Sequence, residues 1–309
     1  MPDYSRQPDY FLNYEELKIA SFMGQESKNL DGDTVEAFGD EWEKFSVFEE
    51  EEIALVGDQY FDIVDSAALN KESVVLDMGC GSGRWSRYVS DKVKQVEAVD
   101  PSKAITLSAR NHQDKKNIRW TQASVSTLPF STNSFDFVVC LGVLHHMPDT
   151  GAALRDVVRY IKPGGSILLY LYYALDNRGP LYKALFKASH LIRLVISKLP
   201  NRLKMLVCDV IAILVYWPLT TMARIVKSIF SGSTFYHKMP LSYYCDKSFF
   251  VMRNDSLDRF GTPLESRFTK EEIRSMMQNA GLDNIVFSPN EPYWHATGQK
   301  KGEAQSTNS

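Results

Sequence analysis

Residues 74–85 read VVLDMGCGSGRW. A short apolar run carries one acid, Asp77, and is followed by glycines at alternate positions, Gly79, Gly81 and Gly83. Such a run is the mark of a strand buried on both faces. The glycines let the next turn adopt left-handed backbone and pass close to a ligand. The turn then opens a helix whose first N–H groups face whatever is bound. This is the layout of a nucleotide-type pocket at the carboxyl edge of a parallel sheet. A dinucleotide fingerprint requires G-x-G-x-x-G or Ala, with a small last residue for helix–strand packing. Here the sixth position is Arg84, and Asp77 would repel a pyrophosphate. Both disfavour an NAD oxidoreductase, and the Asp77 carboxylate suits a cofactor that carries an ammonium or a sulfonium.

Four further segments follow in order. Val96 to Val99 is a second apolar run ending in Asp100, Pro101 and Ser102. An acid at that strand tip is placed to accept hydrogen bonds from ribose hydroxyls. Ala123 to Phe130 reads ASVSTLPF, Leu141 to Asp149 reads LGVLHHMPD, and Ile161 to Leu171 reads IKPGGSILLYL, a Pro-Gly-Gly turn before an apolar strand. In this order the five segments resemble those of class I S-adenosylmethionine (SAM) dependent methyltransferases, densely over about 72–172 and loosely over the last forty residues. The resemblance implies a Rossmann-like, doubly wound α/β fold with a seven-stranded sheet in the order 3-2-1-4-5-7-6. It implies SAM as cofactor, held by Asp77, Gly79, Cys80, Gly81, Gly83, Asp100, Pro101, Ser124, Val125 and Leu141. The family often has an acid four residues before Leu-Pro-Phe to hold the adenine amino group. Ser124 stands there, so backbone groups near Val125 are expected to share that contact.

Strand–helix alternation from 73 to 172 independently requires a parallel sheet with helices on both faces. The expected organisation is a tail and helical cap (1–70), a SAM-binding core (71–175), a helical insertion or lid (176–262), a helix and hairpin completing the core (263–300) and a mobile tail (301–309). Thr269 and Glu272 form a capping box, with Gly281 closing that helix. Phe38, Trp42, Phe45 and Phe48 recur at helical spacing in the cap. Such a stripe is either plain core or the wall of the cofactor or acceptor pocket.

Charge is unevenly distributed. Residues 1–70 hold eighteen acids against four bases, and residues 181–230 hold eight bases against Asp209 alone, while the whole chain carries −3. The overall charge argues against nucleic-acid binding. The basic segment contains an apolar run, Met205 to Trp217, ended by Pro218. Thirteen residues are too short to span a bilayer. The run is therefore read as a lid helix, which would bury Leu206, Val207, Ile211 and Leu214, or as an in-plane helix on a membrane surface. Cys80, Cys140, Cys208 and Cys245 have no metal or disulfide spacing and read as reduced core residues. The polar, acidic start lacks a signal-peptide pattern. The expected setting is cytoplasmic, peripheral at the inner face of the membrane if the insertion docks there. The first thirty residues read as mobile.

Methyl transfer from a sulfonium needs alignment, and a base only where the acceptor must lose a proton. His145 and His146 lie just past the fourth core strand, where a base would serve, and resemblance favours His146. His295, Tyr243 and Tyr244 are weaker candidates, and Arg253, Arg259 and Arg267 are candidates for an anionic acceptor group. The reading is a SAM-dependent methyltransferase acting at oxygen or carbon of a small or lipid-linked molecule, with no metal. The alternatives are a non-catalytic SAM-binding module serving a partner enzyme and, lower, an aminopropyl transferase. The acceptor and the oligomeric state are not legible.

Overall fold

A computed structural model of the chain describes residues 2–14, 17–24, 27–45, 48–230 and 235–302. It divides into two compact units, residues 1–176 with 264–309, and residues 177–263.

The first unit is built on one sheet. Its strands are β1 (Tyr10–Tyr14), β2 (Leu17–Ser21), β3 (Val74–Met78), β4 (Gln95–Asp100), β5 (Ile118–Gln122), β6 (Phe135–Leu141), β7 (Ile161–Tyr170), β8 (Leu282–Phe287) and β9 (His295–Lys300). They lie in the order β1-β2-β5-β4-β3-β6-β7-β9-β8. Pairing is parallel from β2 through β7, and antiparallel for β1–β2, β7–β9 and β8–β9. Alternate residues of β3 feed opposite faces, as strand geometry requires. Leu76 and Met78 enter one core with Val138, Leu154 and Ile167, and Val75 enters the other with Val96, Ile105 and Val139. The helices of this unit are α1 (Gly32–Lys44), α2 (Glu50–Tyr60), α3 (Arg84–Ser90), α4 (Ala104–Asn111), α5 (Thr150–Val158) and, after the second unit, α10 (Lys270–Asn279). The capping box on α10 is formed as its sequence signals, with the Thr269 hydroxyl accepting from the Glu272 N–H and the Glu272 carboxylate accepting from the Thr269 N–H.

Two expectations are corrected. The sheet has nine strands, not seven, and the amino-terminal segment is not a mobile tail leading to helices alone. The segment forms a hairpin at the sheet edge, where β1 (YFLNY) is mostly exposed despite its aromatic and apolar residues and so shows no buried alternation. The hairpin is fixed by long-range contacts. Phe22 is fully buried and its N–H donates to the Gln122 carbonyl. Glu97, buried mid-strand, accepts from Arg119 and Thr121, and the Arg119 guanidinium lies over the Tyr4 ring and donates to the Pro2 carbonyl. A buried carboxylate requires such a cation, and here the requirement secures residues 2–4. Of the expected mobile tail, residues 303–309 lie outside the described residues.

The second unit is helical, with α6 (Pro180–Ile196), α7 (Asn201–Ile211), α8 (Trp217–Ile229) and α9 (Phe249–Gly261). A π-helical turn, Ala212–Tyr216, joins α7 to α8 without a break. The apolar run therefore does not end at Pro218, as the sequence reading expected; the helix continues to Ile229, 29 residues in all, long and apolar enough to cross a membrane. The wider turn precedes the residue that lacks an N–H, and such bulges absorb a mid-helix proline. Leu206 and Leu214 are exposed, and Val207 and Ile211 only half-buried. The helix instead turns polar groups toward α9: Arg253 holds Asp209 through two bonds of 3.0 and 2.9 Å, and the Tyr216 hydroxyl donates to Asp255 at 2.6 Å.

Candidate active site

The turn after β3 is held from beneath. The N–H groups of Gly79 and Cys80 both donate to the Val99 carbonyl, and the Gly81 N–H donates to Asp100 at 2.9 Å. All three glycines have positive φ. A Cβ on Gly79 would lie 2.4 Å from Val143, and one on Gly81 would lie 2.8 Å from Trp42. Only glycine combines that backbone with those neighbours.

Asp77 is buried at the head of the turn. The Ser86 hydroxyl donates to its Oδ2 at 2.6 Å, while Oδ1 has no hydrogen-bond partner among the described residues. Burial, with the Asp100 carboxylate adding repulsion, pushes the Asp77 pKa up to about 7. An unmet buried acceptor of this kind suits the ammonium of an amino-acid moiety. Asp100 is committed more fully. Its Oδ1 accepts from the backbone and hydroxyl of Ser102, and burial still raises its pKa. It therefore holds the glycine turn from the tip of β4, where sequence expects a ribose-binding acid. Pro101 follows, its carbonyl accepting from Gln122.

Ser124 caps a short turn, Val125–Thr127, and its hydroxyl sits among those of Ser27, Ser126 and Thr127 at 3.1 Å each. Leu141 ends β6, buried. Cys80 is buried with its thiol pKa raised by burial, so it is an inert wall of the turn.

Val143 touches Gly79, and the next turn carries Leu144, His145 and His146, so the histidines follow directly from a residue that packs on the glycine turn. The two rings differ. His146 Nδ1 lies 2.7 Å from the Leu264 carbonyl, which can only accept; the neutral ring is therefore protonated there and carries its lone pair on Nε2. His145 is fully buried, with both ring nitrogens unpartnered among the described residues. Burial, then the neighbouring His146 and Arg267, hold its pKa well below the usual imidazole value.

Several residues here were not among the sequence candidates. The Tyr172 ring lies 3.9 Å from that of His145, and Tyr170 links Tyr172 to Tyr60 and thence to Trp85. Of the aromatic stripe, Phe38 meets the edge of His146 at 4.7 Å and Trp42 lies against Gly81, whereas Phe45 is plain core. Arg84, the residue that broke the dinucleotide pattern, is stacked among Trp42, Phe48 and Trp85. Arg267 pairs with Glu265 at 2.7 Å and lies over the Tyr172 ring. His295 is placed between Asp62 and the Pro292 carbonyl, against Tyr60. Tyr243, Tyr244, Arg253 and Arg259 belong to the second unit, where Tyr243 packs on Tyr244, Tyr244 on Tyr216, Arg253 pairs with Asp209 and Arg259 lies over Phe186. Among the described residues no group of three His, Cys, Asp or Glu side chains is arranged to hold a metal.

Residues 76–169 match a family described as methyltransferase domain. An uncharacterised methyltransferase of Bacillus subtilis is 30% identical over 134 residues, covering 42% of this chain and 53% of the relative. A ubiquinone biosynthesis O-methyltransferase of Pseudomonas fluorescens is 32% identical over 109 residues, covering 34% and 45%. A tRNA U34 carboxymethyltransferase of Campylobacter curvus is 34% identical over 108 residues, covering 34% and 36%. The chain thus spans about half the length, or less, of these curated relatives. Among solved structures, a SAM-dependent methyltransferase of Methanosarcina mazei aligns over 77% of this chain and 96% of its own at a TM-score of 0.46 and 17% identity.

Proposed function

We propose that residues 76–169, which match a methyltransferase-domain family, form a class I SAM-dependent methyltransferase domain, and that the chain transfers a methyl group to an oxygen or carbon of a small acceptor, free or lipid-linked. The observation that carries this reading is the adjacency of two features: a glycine turn headed by Asp77 with one unmet acceptor oxygen, and the His145–His146 turn packed on it through Val143. When bound, SAM supplies a methyl group already activated on a sulfonium. The rest is the work of the chain. Asp77 Oδ1 would take the ammonium, the glycine turn would hold the amino-acid part, Asp100 would accept from the ribose hydroxyls with Pro101 beside it, and Ser124, Val125 and Leu141 would border the adenine.

Phe38, Tyr170 and Tyr172 supply apolar, π-rich walls that align a planar or apolar acceptor and exclude water. His146 takes the acceptor proton on Nε2, because its Nδ1–H is fixed on the Leu264 carbonyl. His145, neutral and buried, holds Tyr172 and does not act as base.

The test incubates the full chain with methyl-labelled SAM and separate small-molecule and lipid extracts, and follows both transferred label and S-adenosylhomocysteine. Label is expected in one fraction, with turnover dependent on His146. Tight SAM binding by calorimetry with no label in either fraction would overturn catalysis and leave a binding module.

A further inference from the structure

The second unit carries large apolar residues on its outward surface as well as in its small core. In an ordinary surface helix the apolar stripe faces the protein and charges face water. Along 201–229 the inward residues include Asp209 and Tyr216, paired with Arg253 and Asp255 of α9, while Cys208 and Ala212 fill the space between. The outward residues are large and apolar: Leu206 is 60% exposed, Leu214 68%, Trp217 55% and Ile229 66%. The preceding helix α6 repeats the pattern, with Leu191 and Val195 exposed while Arg193 turns inward to the Thr262 and Pro263 carbonyls. Exposed apolar surface on this scale marks an interaction face.

Charge selects the occupant. Residues 177–263 carry thirteen Lys and Arg against four Asp, a net +9 in a chain whose total is −3. Lys187 on α6, Lys198 in the turn that follows it and Arg202 on α7 are exposed. A second copy meeting this one through the same face would bring +9 against +9. A transmembrane passage would place the Asp209–Arg253 pair and Asp255 in lipid. An anionic bilayer surface satisfies both features, taking the apolar side chains into its acyl boundary and the cations among its headgroups. We propose that residues 177–263 dock in the plane of an anionic membrane through the outward faces of α6 and the 201–229 helix. This inference is independent of the methyl-transfer reading.

Flotation of the full chain tests it, with vesicles of phosphatidylcholine alone and of phosphatidylcholine with phosphatidylglycerol. Wild type is expected to float with the anionic vesicles at low salt, and less with neutral vesicles or at high salt. Replacing Lys187, Lys198 and Arg202 by Glu should weaken partition by about fivefold per cation or more. Leu206→Glu with Leu214→Glu and Ile225→Glu should abolish it, with circular dichroism and SAM affinity unchanged. Should that variant misfold, Trp217 decides: its emission should shift to the blue on binding vesicles, and Trp217→Phe should lose the shift while still floating. Failure of the wild type to float at low salt overturns the proposal. So does flotation indifferent to the cation variant, a dimer dissolved by the leucine variant without any flotation, or resistance to alkaline carbonate extraction, which would mean a spanning helix.

Discussion

Leu154 and Leu214 are the same residue in two different settings. Leu154, on α5 of the first unit, is fully buried in the core beneath the sheet, and Leu214, in the π turn of the second, is two-thirds exposed. The units that hold them differ throughout. Residues 177–263 carry +9, so the remainder carries −12. The first unit places its acids at a site, with Asp77 and Asp100 buried at strand tips, and puts its apolar residues inside. The second pairs Asp209 with Arg253 and Tyr216 with Asp255 on its inner side, and leaves Leu191, Leu206, Leu214 and Ile229 outside. Apolar content therefore stabilises the first unit by burial, whereas in the second much of it remains available to an external phase.

The largest effect is expected in the first unit: His146→Ala should lower turnover by roughly 10²–10⁴-fold with SAM affinity retained. His145→Ala should mainly lower stability, and a loss of turnover from it equal to that from His146→Ala would reverse the assignment. Next, Leu154→Ala should cost about 2–5 kcal/mol in chemical denaturation, where Leu214→Ser should change stability by no more than about 0.5 kcal/mol. Equal costs would mean that the outward face of the second unit is buried in solution. Third, Asp100→Ala should weaken SAM binding by about 1.5–3 kcal/mol, since it removes a charged acceptor and also frees the Gly81 N–H. Calorimetry showing unchanged affinity would falsify the assignment of Asp100.

The smallest effect is a pH dependence centred on Asp77. Its pKa is raised in the folded protein to about 7 from an ordinary 3.8, so the folded state holds the proton more tightly than the unfolded one. The sign is then that stability falls as pH rises from about 4 to 7 and is flat above. Glu97, also pushed up to about 7 by burial, adds to the same slope. An ammonium beside Asp77 favours its ionised form, so SAM affinity should rise with pH up to about 7. The thermal stabilisation given by SAM should be larger at pH 8 than at pH 6, and Asp77→Asn should flatten that difference while the Glu97 slope persists. A larger stabilisation at pH 6 would show that the carboxylate does not meet the cation.

Sequence by itself determined whatever is local. Positive φ at Gly79, Gly81 and Gly83, the acids at two strand tips, the box at Thr269 and Glu272 and the strand–helix alternation all follow from backbone conformation and short-range periodicity, which neighbouring residues dictate. Tertiary structure decided what depends on distant partners. Trp42 against Gly81, Tyr172 on His145 and Arg267 with Glu265 over Tyr172 join segments far apart in the chain, and no spacing rule reports such a meeting. The amino-terminal hairpin was hidden because its anchor, the Glu97–Arg119–Tyr4 stack, is also non-local. The insertion shows the limit most plainly. Periodicity identified an apolar stripe from Met205 onward, but a stripe has no intrinsic inside. Which face turns inward is set by what another element offers, and here α9 offers Arg253 and Asp255, whose need for partners draws Asp209 and Tyr216 in and leaves the leucines facing out.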